Sequence, residues 1–289
     1  MKRLAYIGSA AIVALAFSCK PSAAPDGPVL TVDSIALADS ISIGLSSAEV
    51  TISGQYPDSG ATALVDSTRR WLADCLSWGT FAGTARVIIP TKAEINNPQQ
   101  LLAHLTKKLL ASAERDFIDF NSSFPDTRLG YEYQISFEPA FMSDSLVTYV
   151  YNAYGYQGGA HGGSVAKTAT FAASTGQILT YANAFLPDRR KELIARIRTA
   201  LWEQYFRPTA ADPGAPVSLE EALLINPQEL DLPASGPQFG RDGVTFTYGQ
   251  YEIAPYAAGM PACTIKYADL HPLLQAWVIP LVTDNSYTL

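Results

Sequence analysis

Tyr131-Glu-Tyr-Gln-Ile-Ser-Phe137 and Leu146-Val-Thr-Tyr-Val-Tyr-Asn-Ala-Tyr154 place aromatic and branched apolar residues at every second position. That is the period of strands with one face in a core, and the class of fold follows from it. Residues 164–171 and 177–181 continue the β-rich block, with a tight turn at Ser174-Thr175-Gly176 between them. Upstream, Ile41, Ile43 and Leu45, then Val50 and Ile52, alternate with small polar residues, so strands begin from residue 30. Tyr56-Pro-Asp-Ser-Gly60 reads as a turn. A helix follows over residues 62–78, with Val65, Thr68, Leu72, Cys75 and Leu76 on its apolar stripe. Asn97-Pro98 opens a second helix, Asn97 as cap and Pro98 in the first turn, with Leu101, Leu102, Leu105, Leu109, Ala113 and Phe117 facing a core.

The run Asn121-Ser-Ser-Phe-Pro-Asp126 breaks the helical pattern and marks a boundary between a unit of residues 30–122 and one of 123–289. In the second unit Asp188 is positioned to cap a helix carrying Leu193, Ile194, Ile197, Leu201 and Tyr205. Ser218-x-x-Glu221 is a capping box, Val244, Phe246 and Tyr248 alternate as a strand, and residues 264–267 form the last one. Strands and helices do not alternate strictly. The expectation is α+β, with mixed or antiparallel sheets packed by helices in two units.

The N-terminus carries an address. Lys2 and Arg3 precede an apolar run to Phe17, and Leu15-Ala-Phe-Ser18-Cys19 has the layout of a lipobox. Residues 1–18 are read as a lipoprotein signal peptide, Cys19 as the lipid attachment (an acyl group such as palmitate), and residues 19–29 as a tether rich in Pro, Ala and Ser. The chain is expected in the cell envelope, anchored to a membrane through Cys19 and facing the periplasm or the exterior. Its formal charge of −7 argues against nucleic acid or anionic lipid headgroups as partners and favours a basic protein. In an oxidising compartment Cys75 and Cys263 either form a long-range disulfide or stay as two buried thiols, and spacing alone leaves both open.

The chemistry-bearing residues do not specify a reaction. His104, His161 and His271 are the 3 histidines, with no spacing suited to a metal site. No nucleophile elbow, dinucleotide fingerprint or phosphate loop is present, and no cofactor is implied. One segment stands out: Tyr154-Gly-Tyr156-Gln-Gly158-Gly159-Ala-His161-Gly-Gly163. Its glycines let backbone approach a neighbour closely and present one imidazole on a loop. A second is Tyr251-Glu252-Ile-Ala-Pro-Tyr256-Ala-Ala-Gly259. Tyr154, Tyr156, Gly158, Gly159, His161, Tyr251, Glu252 and Tyr256 are the expected ligand contacts, with no catalytic residue and no metal site assigned. The tyrosine pairs Tyr131 and Tyr133, and Tyr149 and Tyr151, are either a binding platform or cross-strand packing.

Taken in order, the segments at 154–162, Phe171-x-x-x-Thr175-Gly176 and 251–259 resemble the extracytoplasmic domain of RsiV-type anti-sigma factors and the accessory domain of PdaC-type peptidoglycan deacetylases. The likeness spans roughly residues 130–275, and residues 30–120 resemble the smaller α/β domain that often precedes it. The resemblance implies an α+β fold and a cell-envelope setting but no one activity; in RsiV-type proteins this domain is a receptor that grips lysozyme. A lipoprotein signal is expected here in place of the sigma-binding segment and membrane helix of the former, and no spacing in the sequence offers the Asp and paired His ligands of the latter. The reading is a lipid-anchored binding protein for lysozyme or peptidoglycan fragments, more a binder than an enzyme. The rival is an envelope hydrolase with His161 as general base.

Overall fold

The first elements form a long hairpin in the structure, a computed structural model that describes residues 29–79, 85–208 and 216–283. The signal peptide, the Cys19 attachment and the tether up to residue 28 lie outside the described residues. Strands β1 (Leu30–Ile43) and β2 (Ser46–Gly60) pair antiparallel, and Gly44 takes φ 60° in the turn between them. Leu45, expected in a strand, therefore sits at the turn and is exposed. The turn expected at residues 56–60 is strand instead. β2 pairs with β3 (Gly130–Met142) only as far as Gly54↔Phe137, so Pro57 lies on a stretch with one free edge, where a missing donor costs little. A register shift in β1 between Leu30 and Val32 absorbs the irregularity.

Six strands form one sheet in the order β1-β2-β3-β4-β5-β6, with β4 at Leu146–Tyr156, β5 at Gly163–Ala172 and β6 at Ile178–Leu179. The β2–β3 pair is parallel and the other pairs are antiparallel. The boundary expected at 122/123 falls between two strands of this sheet. Strands from both sides of it are hydrogen-bonded neighbours, and the helix-breaking run at 121–126 is a connection inside one layer rather than a seam.

Helices α1 (Thr62–Ser77) and α2 (Pro98–Ser123) cover one face of the sheet. Asn97 caps α2 as the sequence suggests, its side-chain oxygen accepting from the Gln100 amide at 3.2 Å. Leu101, Leu102, Leu105, Leu109, Ala113 and Phe117 are buried against Val50, Ile52, Ile135 and Phe137. Tyr133, Tyr149 and Tyr151 are buried in the same core, with Tyr131 packed against it, so the tyrosine pairs are packing residues. Burial pushes the Tyr133 phenol up to about 12.

A second unit is built around α3 (Arg190–Leu201) and a three-stranded antiparallel sheet of β7 (Gln238–Phe239), β8 (Gly243–Thr247) and β9 (Ala262–Lys266). Asp188 does not cap α3. It lies in a short 3₁₀ turn (Pro187–Arg189) that leads into the helix, and no side chain caps the first turn. Leu193, Ile197 and Leu201 are buried as expected, whereas Tyr205 is exposed because the chain widens to a π-helical turn over Trp202–Phe206. That turn aims Gln204 at β9, where its amide pairs with the Thr264 N–H and C=O, each at 2.9 Å.

The alternation of β4 and β5 shows how the two units share the six-stranded sheet. Val147, Tyr149 and Phe171 belong to the helix-covered core, while Leu146 and Ala172 point the other way into the second core. The joint is a closed ring of hydrogen bonds around Phe239. Its N–H donates to Thr170 Oγ1 at 3.1 Å, Thr148 and Thr170 hydroxyls pair at 2.8 Å, and Thr148 donates to the Phe239 carbonyl at 2.6 Å. The fold is thus mixed α and β with two sheet units packed by helices.

Of the two outcomes left open for the cysteines, the structure has the free one. Cys75 lies in the first core and Cys263 in the second, both buried and unbridged. Burial pushes each thiol up to about 12.

Candidate functional site

The second unit covers only part of the sheet face opposite the helices, and the uncovered remainder lies beside it. The floor of this cleft comes from the strand positions that point away from the helices. Thr51, Gln134, Tyr154 and Ser164 stand side by side across β2, β3, β4 and β5, and Ser53, Ser136, Asn152 and Ala166 form the next row. These side chains are small or polar, which is what a solvated sheet face requires. A concavity of about 240 Å³ opens over Thr51, Ser53, Gln134, Ser136, Asn152 and Tyr154. Met260 lines its far side, which ties the floor to the segment that follows Tyr256.

The wall is the meeting of the two segments singled out by sequence. The His161 ring stacks on Tyr256 with centroids 3.9 Å apart and planes 23° from parallel. Tyr251 completes the cluster, 6.4 Å from His161 and 5.9 Å from Tyr256. His161 Nδ1 lies 2.9 Å from the Gly162 carbonyl, which can only accept, so Nδ1 carries the proton of the neutral ring. Nε2 is then the acceptor for the Tyr251 hydroxyl at 3.4 Å. His161 and Tyr251 are exposed, and the cluster faces solvent rather than a core.

Local chemistry holds each part in place. Gly158 and Gly159 take φ of 86° and 95°, conformations that a side chain resists, and the Tyr156 hydroxyl donates to the Gly159 carbonyl at 3.0 Å. Gln157 anchors the base of the loop by donating to the buried Tyr133 hydroxyl at 2.7 Å. The Tyr154 ring lies across Gly162, where any Cβ would come within 2.5 Å of it. On the other segment Tyr251 is held at φ 62°, the non-glycine residue with a positive φ among those described. Gln250 beside it accepts from the Ser164 N–H at 2.7 Å, binding this segment to the strand that leaves the His161 loop.

The arrangement unites seven of the eight expected contacts: Tyr154, Tyr156, Gly158, Gly159, His161, Tyr251 and Tyr256. Glu252 stands apart. Its carboxylate accepts from the Gly249 N–H at 2.6 Å and the Ala234 N–H at 2.7 Å, so it closes its own turn and pins a neighbouring loop. The partners of the His161 ring are a carbonyl and a phenol, not a carboxylate. Among the described residues no group of three or more His, Cys, Asp or Glu side chains is placed to hold a metal ion. No described helix is long and apolar enough to cross a membrane. His104 pairs with Glu94 at 2.8 Å, and His271 begins a 3₁₀ turn, both away from the cleft.

Sequence reading missed the floor. Its signal was present in the alternation Ala48-Glu49-Val50-Thr51-Ile52-Ser53, whose polar set shares one face, but no single residue in it announces chemistry.

Residues 185–268 match a family described as Protein of unknown function (DUF3298). The matched stretch includes α3, the three-stranded sheet and the Tyr251–Tyr256 side of the wall, and it stops short of the six-stranded sheet. A solved structure of a DUF3298 family member from Bacteroides fragilis is similar over 87% of this chain and 96% of its own, with TM-score 0.67 and 20% identity. A DUF3298 family protein from Pseudomonas aeruginosa PAO1 is similar over 85% of this chain and 95% of its own, with TM-score 0.54 and 16% identity. At these identities the likeness is one of fold. It extends across both sheet units, beyond the matched stretch. No curated protein matches the chain.

Proposed function

We propose that this protein is a binding module of the cell envelope, held to a membrane by a lipid on Cys19, and that it grips a basic protein such as lysozyme at the cleft. The single observation that carries the reading is the convergence of His161 with Tyr251 and Tyr256, about 90 residues distant, into one exposed ring cluster beside an open floor. Solvent-facing aromatic rings fixed by hydrogen bonds lose little entropy on contact and suit a contact surface. The strained Tyr251 backbone supports the same reading, since such conformations concentrate at functional sites. The charge of −7 favours a cationic partner by steering. The likeness of the two segments to RsiV-type receptors points the same way.

A peptidoglycan fragment is the second reading, favoured by the hydroxyl and amide groups that line the concavity. The hydrolase reading has no such support, because a general base at His161 would rely on a phenol and a carbonyl where a carboxylate is wanted.

The test is titration calorimetry of the purified protein with lysozyme and, separately, with soluble peptidoglycan fragments. Replacing Tyr256 and His161 with Ala should weaken lysozyme binding by about 2 kcal/mol or more, the loss typical of a central aromatic contact. Absence of lysozyme binding at low salt would remove that partner. Binding that survives both substitutions would remove the cluster from the contact surface.

A further inference from the structure

The sheet face beside the ring cluster has a charge distribution that the cluster alone does not explain. Strands β1 to β5 contain one basic residue, Lys167, and its ammonium group points to the helix side, 5.8 Å from the centre of the Trp78 ring. The opposite face holds Glu49, Glu132 and Glu138 and no Lys or Arg. Its other exposed positions on β1 and β2 are Ser34, Ala36, Ala38, Ser40, Ser42, Ser47, Thr51 and Ser53. Glu49 and Glu132 are immediate neighbours across the parallel pair, an arrangement of like charges that costs stability in the free protein. A fold has no need of that pairing.

The face is also open to solvent along its first three strands. Most side chains of this face on β1 and β2 are short, Glu49 being an exception, whereas Tyr154 and Tyr156 stand where the floor meets the wall. Exposed positions run along β1, β2 and β3, and three strands about 4.8 Å apart over about eight residues of roughly 3.3 Å each offer about 400 Å² at most. A stable protein interface takes about 800 Å² from each partner. The sheet face supplies about half of that figure, so the exposed rings of the wall are needed beside it, and the concavity over Gln134 and Asn152 is too small for it alone.

We propose that this acidic sheet face is the main docking surface for a folded cationic protein, with Glu49, Glu132 and Glu138 steering it in and the ring cluster closing one side. This rests on the binding reading above and assigns it a surface and a partner chemistry. A cationic surface laid on the face would offset the like-charge contact between Glu49 and Glu132. An uncharged glycan would not.

The probes are two cationic proteins of unlike shape, lysozyme and cytochrome c, measured by surface plasmon resonance at low and physiological salt. The comparison set is the triple variant Glu49→Gln, Glu132→Gln and Glu138→Gln, the Tyr256→Ala variant, and Asp119→Asn with Asp126→Asn as a control outside the sheet face. The triple variant should associate about ten-fold more slowly at low salt and lose most of its salt dependence, while the control behaves as the parent. Its urea midpoint should stay level or rise, a result that a structural role for the glutamates would not give. If the parent binds neither probe, or if the triple variant associates at the parental rate, the inference is overturned. Binding of a soluble glycan in place of both proteins overturns it as well. Loss of binding in Tyr256→Ala with none in the triple variant would sink this surface and leave the ring cluster standing. Binding of cytochrome c alone, sensitive to the three glutamates, would keep the surface and remove lysozyme.

Discussion

Replacing Thr148 with Val should loosen the joint that fixes wall to floor, and the cost can be worked from the hydrogen bonds around Phe239. Both threonines are fully buried. Each hydroxyl has one proton to donate, and the distances allow a single consistent circuit: Phe239 N–H to Thr170, Thr170 to Thr148, Thr148 to the Phe239 carbonyl. Valine matches threonine in shape, so Thr148→Val removes the hydroxyl and little else. It leaves the Phe239 carbonyl without that donor, while Thr170 can turn to the Pro237 carbonyl at 3.3 Å. An orphaned buried group costs about 1–3 kcal/mol, and the lower half of that range applies here. Thr170→Val orphans the Phe239 N–H, which has no second partner among the described bonds, so the upper half applies. The double variant loses the hydroxyl–hydroxyl bond once rather than twice, and its cost should fall about 1 kcal/mol short of the sum. Urea unfolding of the four proteins, with unchanged slopes, measures the cycle. Single costs below about 0.5 kcal/mol that simply add would refute the circuit.

Tyr251→Gly should leave stability within about 1 kcal/mol of the parent, because relief of the positive-φ strain offsets the greater freedom of glycine when unfolded, while partner binding falls. A loss above 2 kcal/mol in urea unfolding would mean that the ring is a structural anchor. Gly176→Ala should cost about 3 kcal/mol or more, since φ is +68° and the new Cβ would lie 2.3 Å from the Ala63 carbonyl oxygen at the start of α1; calorimetric melting reads this directly. Cys75 and Cys263 should resist iodoacetamide in the folded protein from pH 7 to 9, because burial raises both thiols to about 12, and should react once urea exposes them. Mass spectrometry counts the adducts. Rapid labelling of either cysteine without denaturant would show that its core is open to solvent.

The strands and the capped helix were legible because their signals are local. Tyr131, Tyr133 and Phe137 alternate within one strand, and Asn97 caps a helix that begins one residue later. The convergence of His161 with Tyr256 depends on the loop glycines of one segment and the positive-φ tyrosine of the other, and the sequence supplied the segments without their meeting point. What it could not supply was pairing between distant strands. The helix-breaking run at 121–126 gives the same signal at a domain boundary as at a connection, and only the β2–β3 ladder tells the two apart. Asp188 fails as a cap for a similar reason: Pro187 lets a 3₁₀ turn start early, which moves the helix start past the residue that would have served it. The acidic face was hidden because a face is a property of strands in register, and the β2–β3 pairing that joins its two glutamate-bearing strands spans two helices.

The parallel ladder between β2 and β3 has a consequence for how the molecule is made. Parallel neighbours need a crossover, and here it runs from Gly60 to Gly130 through both helices that roof the sheet. During synthesis the β1–β2 hairpin emerges well before the strand that will shelter it, with Val50 and Ile52 still uncovered. Ribbons left in that condition recruit strangers by their open margins. Asp33 and Asp39, exposed along β1, discourage such company while the hairpin waits for its rightful neighbour.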